Sequence, residues 1–307
     1  LPCTAPCNTG DQTLVWNTLT RHYEAYFPAG LTANFPILFY LHQRAVDPYN
    51  VLPYIEASSS EYLSSFARSN HVAIVWPIST AQDTSGCNPR CGSTNPTTPC
   101  TANTPSKKCI WYWDLDYFDS TMSFSPDDLG FIQNLLRYAT TNWGASPTSR
   151  ILYGCSTGGF EAELYATTYP NDILGIMDAA GTQCAQASNL SGNCSLPAPS
   201  GDVMAYIQHG DADTTIKYCG GVYNWGNGLS RVPGQDENFN QWSNGMSCSA
   251  VSPATALCAN GSSNGVALKT ATGCTGGKSV EEVTIIGGPH ACLNSTQLQA
   301  AYEFLTQ

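Results

Sequence analysis

Ser156 stands in the stretch Gly154-Cys155-Ser156-Thr157-Gly158, a G-x-S-x-G pattern. A serine hydroxyl becomes a nucleophile when a base takes its proton and an acid orients that base. The apolar run Ile151-Leu152-Tyr153 leads into the pattern, and a helix-compatible segment from Phe160 to Thr168 follows it. Strand, tight turn with serine at the apex, then helix is the layout of a nucleophile elbow. Small residues two before and two after the serine permit that turn, because larger side chains would collide with strand and helix. Alone the pattern is weak, with about 0.1 chance matches expected at ordinary Gly and Ser frequencies. The flanking elements and the partners must carry the argument.

Behind such an elbow the partners follow in the order serine, acid, histidine. Of the five histidines, His290 is the one with a strand-end acid between it and Ser156. It sits in Gly287-Gly288-Pro289-His290, a turn leaving the strand-like Val283 to Ile286, at the sheet edge where active sites gather. His209 and His42 adjoin strands directly and read as structural, while His22 and His71 read as surface residues. The acid is sought in His209-Gly210-Asp211-Ala212-Asp213, which leaves the strand Val203 to Gln208. Asp213 is preferred to Asp211 because the longer excursion returns a side chain toward the histidine, although either acid can simply cap a turn. An oxyanion hole needs two backbone N–H groups, each worth about 10²–10³ in rate. Thr157 is expected to supply one. The loop His42-Gln43-Arg44 is expected to supply the other, from Arg44 or, as runner-up, Gln43. Trp111, Tyr112 and Trp113 form the densest aromatic run, readable as core packing or as a substrate platform.

Positioning these groups requires a sheet. Thr20–Phe27 alternates as a strand, whereas Pro36–Leu41 and Val72–Trp76 are continuous apolar runs, as in strands buried on both faces. Helices are expected over Glu56–Ser69, from a serine-capped start at Ser125-Pro126-Asp127-Asp128 to about Trp143, and over Asn294–Thr306. Strands alternating with helices imply a mostly parallel central sheet covered on both faces. One domain spanning residues 1–307 is the economical reading, with disulfide-rich loop insertions at about 79–108 and 218–278.

Composition narrows the function class. Hydrophobic residues are 42% of the 307, charged residues only 11%, and the net charge is −11, which argues against nucleic acid and anionic membranes as partners. No apolar run reaches the length of a membrane span. The chain opens Leu1-Pro2-Cys3, as a mature, processed secreted form is expected to. Its 14 cysteines lack the paired Cys-x-x-Cys spacing that zinc prefers, so disulfides in an oxidising compartment are expected and no metal. Asn189, Asn193, Asn260 and Asn294 begin N-glycosylation sequons.

Taken together, these stretches resemble secreted α/β-hydrolases that include family-1 carbohydrate esterases (feruloyl and acetylxylan esterases) and polyhydroxybutyrate depolymerases. The resemblance runs through Arg21–Gly30, Pro36–His42, Cys109–Trp113, Gly154–Pro170, Ile176–Gly181, His209–Asp213 and Gln241-Trp242. It implies an α/β-hydrolase fold and a serine esterase without cofactor, probing feruloyl or acetyl esters on plant polysaccharide, with a polyester as the alternative substrate. It also supports Asp213 as the acid, and a monomer is expected. A carbohydrate-binding protein on a disabled hydrolase scaffold is the rival of another class. Two departures stand out: His42-Gln43 where relatives have His-Gly, and Ala291-Cys292 where many have Thr-Trp. Since Ser156 and His290 must be neighbours, Cys155 and Cys292 become disulfide candidates. A similar arrangement in tannases and some fungal feruloyl esterases points the same way.

Overall fold

A computed structural model describes residues 7–43, 62–82, 110–113, 127–183, 199, 201–224, 229–252 and 265–307. In chain order the first strands are β1 (Cys7–Asn8), β2 (Gln12–Trp16), β3 (Leu19–Phe27) and β4 (Phe35–Leu41). Helix α1 (Tyr62–Asn70) precedes β5 (Ala73–Pro77), β6 (Thr80–Gln82) and β7 (Ile110–Tyr112). Helix α2 (Asp128–Tyr138) leads to β8 (Ala145–Cys155), and α3 (Thr157–Thr168) to β9 (Gly175–Ala179) and β10 (Met204–Gly210). The hairpin β11 (Gly221–Asn224) and β12 (Leu229–Val232) is followed by α4 (Gln235–Gly245). The chain finishes with β13 (Ala250–Val251), β14 (Gly265–Thr272), β15 (Val280–Ile286) and α5 (Ser295–Leu305).

Among the described residues an 11-stranded sheet runs β1-β3-β5-β4-β8-β9-β10-β15-β14-β13, with β2 paired to β3. Its middle, β5-β4-β8-β9-β10-β15, is parallel throughout, and the strands outside it pair antiparallel. Both faces are covered, which is why the central strands read as unbroken apolar runs. Alternate residues of each strand go to opposite sides. Ile37, Phe39, Ala205 and Ile207 pack with Phe131 of α2, Tyr165 of α3 and Trp242 of α4. Leu38, Met204 and Tyr206 pack with Phe66 of α1 and Phe304 of α5. This is the α/β-hydrolase fold.

Two local expectations change. Helix α2 is capped by Asp127, whose side chain accepts from Gly130 N and whose φ is 51°, rather than by Ser125, which lies outside the described residues. The acid succeeds as cap because its carboxylate also takes the indole N–H of Trp16 at 2.8 Å, tying β2 to the helix start. The stretch 218–278, expected as a loop insertion, contributes β11, β12 and α4, and β13 and β14 extend the main sheet. A disulfide joins Cys248 to Cys274 there, and Cys219 is also disulfide-bonded.

Candidate active site

The nucleophile candidate ends β8. Ser156 is nearly buried and has φ 54° and ψ −119°, a left-handed backbone that L-residues adopt only under constraint. Its N–H is spent on Ala179 O at 2.8 Å, and its own carbonyl accepts from Gly159 N at 2.9 Å. The two glycines of the motif earn their place by close approach. A Cβ on Gly154 would strike the Gly158 backbone, and one on Gly158 would strike the Leu41 and His42 carbonyls. The elbow is thus wedged against the end of β4, which brings the expected oxyanion loop beside it. Thr157 is the first residue of α3, where a backbone N–H has no acceptor within its own helix. That N–H lies at the positive end of the helix dipole.

The loop after β4 is held by His42. Ser79 N donates to its Nε2 at 3.3 Å, so the ring proton is on Nδ1, which donates to the Gln43 carbonyl at 3.0 Å. Burial lowers the pKa of His42 to about 4, against a raising effect of the Gln43 bond, so the ring stays neutral. Trp113 donates its indole N–H to His42 O at 2.8 Å and lies with its ring 4.8 Å from the imidazole. Trp113 is buried, so it braces this loop and does not offer a face to substrate, contrary to the platform reading. Trp111 and Tyr112 lie in β7, paired with β6; nothing is described of their side chains. Arg44 lies outside the described residues, and so do Asn189, Asn193 and Asn260.

The acid and base candidates meet. His290 Nδ1 is 2.6 Å from Asp213 Oδ2. Asp213 follows β10, and Asp213 Oδ1 accepts from Thr215 N at 2.7 Å and Ile216 N at 2.9 Å. Burial works to raise its pKa, but hydrogen bonds from His209 and His290 and the electrostatic influence of the two rings outweigh it. The carboxyl is held well below the usual carboxylate range, as the partner of an imidazolium must be. Asp211 is placed differently: its Oδ1 takes Gly287 N at 2.6 Å and ties the acid turn to the turn carrying His290.

Cys155 and Cys292 form a disulfide with Cα atoms 5.3 Å apart. It links the residue before Ser156 to the second residue after His290, so nucleophile and base turns are covalently joined. Gln43 Oε1 lies 3.4 Å from Cys292 Sγ and 3.6 Å from Cys155 Sγ. Gln43, at the position where the family resemblance led to the expectation of glycine, therefore sits on this bridge. Asn294 caps α5 through a capping box with Gln297, its side chain accepting from Gln297 N at 3.0 Å; the residue is exposed. Leu293 N donates to Tyr153 Oη at 2.9 Å, which pins the base loop to β8 a second time.

Two residues of this site were not expected there: His209 reads from the sequence as structural, and Gln235 was not singled out at all. His209 contacts Asp213, with Nε2 3.0 Å from Oδ2, and Gln235 of α4 contacts His209. A histidine four residues before the acid was the available signal for the first; nothing marked Gln235. Among the described residues no group of three His, Cys, Asp or Glu side chains is arranged to hold a metal ion. Among them, too, no helix is long and apolar enough to cross a membrane.

Solved structures with the same fold span the whole chain. An acetyl xylan esterase from Aspergillus awamori has a TM-score of 0.56 at 14% identity, covering 96% of this chain and 99% of its own. An S-formylglutathione hydrolase from Agrobacterium tumefaciens has 0.55 at 12%, covering 99% and 98%. A ferulic acid esterase has 0.51 at 12%, covering 99% and 97%. No family model matches the chain, and no curated protein matches its sequence.

Proposed function

We propose that the chain is a secreted serine esterase that hydrolyses carboxylic esters through an acyl-enzyme intermediate. The observation that carries this reading is the 2.6 Å contact between His290 and Asp213, with the His290 turn tied to the Ser156 elbow by the Cys155–Cys292 bridge. Asp213 holds the Nδ1–H of His290, which leaves Nε2 as the proton acceptor. Ser156 Oγ attacks the ester carbonyl as its proton passes to Nε2, and the carbonyl electron pair moves onto oxygen. The Thr157 N–H and a donor of the 42–44 loop, Arg44 or Gln43, stabilise that oxyanion. Collapse expels the alcohol, which takes the proton from His290. Water then repeats the sequence on the acyl-serine, giving the carboxylic acid and free Ser156.

The substrate class follows the resemblance: feruloyl or acetyl esters on plant polysaccharide, with a polyester second. The solved acetyl xylan and ferulic acid esterases share the fold and so support the reading without deciding it. Disulfides at Cys155–Cys292 and Cys248–Cys274 accord with an extracellular location. Turnover of methyl ferulate, acetylated xylan and polyhydroxybutyrate should be compared for the wild type and Ser156→Ala. Hydrolysis of one of the first two, abolished in the variant, is expected. A folded wild type that neither turns over any of them nor reacts with a fluorophosphonate probe would leave the binding-protein reading standing.

A further inference from the structure

His209 is a buried polar group that acyl transfer leaves unused. It lies on β10, buried, with a partner at each ring nitrogen. Nδ1 is 2.8 Å from Gln235 Nε2, while Nε2 is 2.7 Å from the Ile216 carbonyl and 3.0 Å from Asp213 Oδ2. The tautomer follows from a group that has no choice. The Gly181 carbonyl can only accept, and Gln235 Nε2 lies 2.8 Å from it. The amide nitrogen, not the oxygen, must therefore face both Gly181 and His209. An N–H directed at Nδ1 requires a lone pair there, so the ring proton is on Nε2, toward Ile216 and the carboxylate.

We propose that His209, fixed by Gln235 as the Nε2–H tautomer, is a positioning residue for the acid, so that the site is a four-residue array of Ser156, His290, Asp213 and His209. The inference rests on the acyl-transfer reading and deepens it. His209 acts first on geometry. Ile216 donates its N–H to Asp213 Oδ1 and gives its carbonyl to His209, so one ring holds the turn that aims the carboxylate. It acts second on charge. Its N–H dipole stabilises the Asp213 anion; without it, the Asp213–His290 pair binds its proton more tightly, and the base is freed only at higher pH.

The ring's other neighbours are Glu163 on α3 and Glu282 on β15, which interact with it electrostatically, and the Tyr218 ring, 6.0 Å away. The Gln235 N–H keeps the Nδ1 lone pair engaged, because a proton on Nδ1 would set two donors face to face.

The test measures the pH dependence of fluorophosphonate labelling at Ser156, which does not depend on the natural substrate. In folded His209→Leu, labelling is expected to slow by roughly 10–100-fold, the scale seen when a partner that orients a metal ligand is lost. The acid limb of its profile should move to higher pH, and Gln235→Met should move it the same way by less. Slower labelling with an unmoved limb would reduce His209 to packing and overturn the proposal, as would wild-type behaviour in the variant. Should His209→Leu fail to fold, nitrogen NMR of the intact protein decides. A protonated Nε2 and a bare Nδ1 are expected at His209; a protonated Nδ1 overturns the inference. Absence of labelling in the wild type would instead sink the serine-hydrolase reading, and the NMR result would still judge the tautomer.

Discussion

The nucleophile turn and the acid turn lie two strands apart at the same sheet edge, and they are held by opposite means. Around Ser156 the restraint is steric and covalent. Gly154 and Gly158 admit no Cβ, the serine is forced to φ 54°, and a disulfide clamps the preceding residue. Around Asp213 it is polar: backbone N–H groups hold one carboxylate oxygen and two imidazoles approach the other. A steric mount ignores pH but tolerates no added methyl group. A polar mount tolerates changes of size better, yet fails when one proton moves. The elbow must present a neutral hydroxyl in a conformation the backbone resists, whereas the acid must keep a charge that burial resists, and each turn counters its own penalty.

The sharpest way to break the polar side is Asp213→Asn. With the amide oxygen kept on Thr215 N and Ile216 N, the amide nitrogen would face His290 Nδ1 as a donor. The imidazole would have to adopt the other tautomer, with Nε2 protonated and unable to accept from serine. A fall in kcat of about 10⁴-fold is expected with the fold intact, the scale known for this change in a serine protease. Steady-state kinetics beside circular dichroism checks it, and a loss below tenfold would mean that Asp213 does not orient the base.

On the covalent side, Cys155→Ala with Cys292→Ala, or reduction of the pair, is expected to cost about 2–5 kcal/mol of stability. Activity should fall by up to about 10²-fold, because an ångström of drift between Ser156 and His290 is enough for that. The Asp213–His290 hydrogen bond should survive, seen as an unchanged downfield imidazole proton resonance. If that proton disappears on reduction, the two mounts are one unit and the contrast between them fails.

This contrast also explains what could be read from the chain. The elbow was legible because steric needs are local: Gly154, Ser156 and Gly158 report them within five residues. The last helix, expected over Asn294–Thr306 and found over Ser295–Leu305, was legible because apolar periodicity is local too. Polar mounts assemble from afar. Gln235 meets His209 across 26 residues, and no pattern near either announces the other. Strand β14 was hidden for a different reason. Val266 and Leu268 face solvent, and Lys269 and Thr270 interrupt the apolar run, so neither a buried strand nor a clean alternation shows. Trp113 could be read as core or as platform because an aromatic cluster carries no sign of which ring is covered; its burial and its N–H bond to His42 O decide that.

The smallest expected effect concerns Asp178 and Glu163, buried carboxyls behind the elbow with the opposite fate to Asp213. Burial raises the pKa of Asp178 well above the usual range, and neighbouring Glu163 raises it further. Burial also raises Glu163, but Asp178, Asn238 and Trp242 hydrogen bonds pull it back, with Asn238 Nδ2 at 2.8 Å and Trp242 Nε1 at 3.0 Å. The pair therefore keeps a proton on Asp178, donated to Glu163. A group whose folded pKa is raised binds more protons folded than unfolded, so its contribution is intact below the unfolded value, about 3.9 for aspartate. It is lost as pH rises toward the folded value. Asp178→Asn imitates the protonated form: its oxygen can still accept from Gly181 N, which Asp178 holds at 2.9 Å, and its amide can donate to Glu163. The variant should thus gain on the wild type as pH rises above about 4, by a few degrees of Tm near neutrality, where 1 kcal/mol corresponds to about 2–4 °C. Thermal melts across that range check it. A Tm difference that stays constant with pH, or shrinks as pH rises, would mean that Asp178 is ionised in the fold, and that burial beneath the elbow leaves its charge in place just as the acid turn does for Asp213.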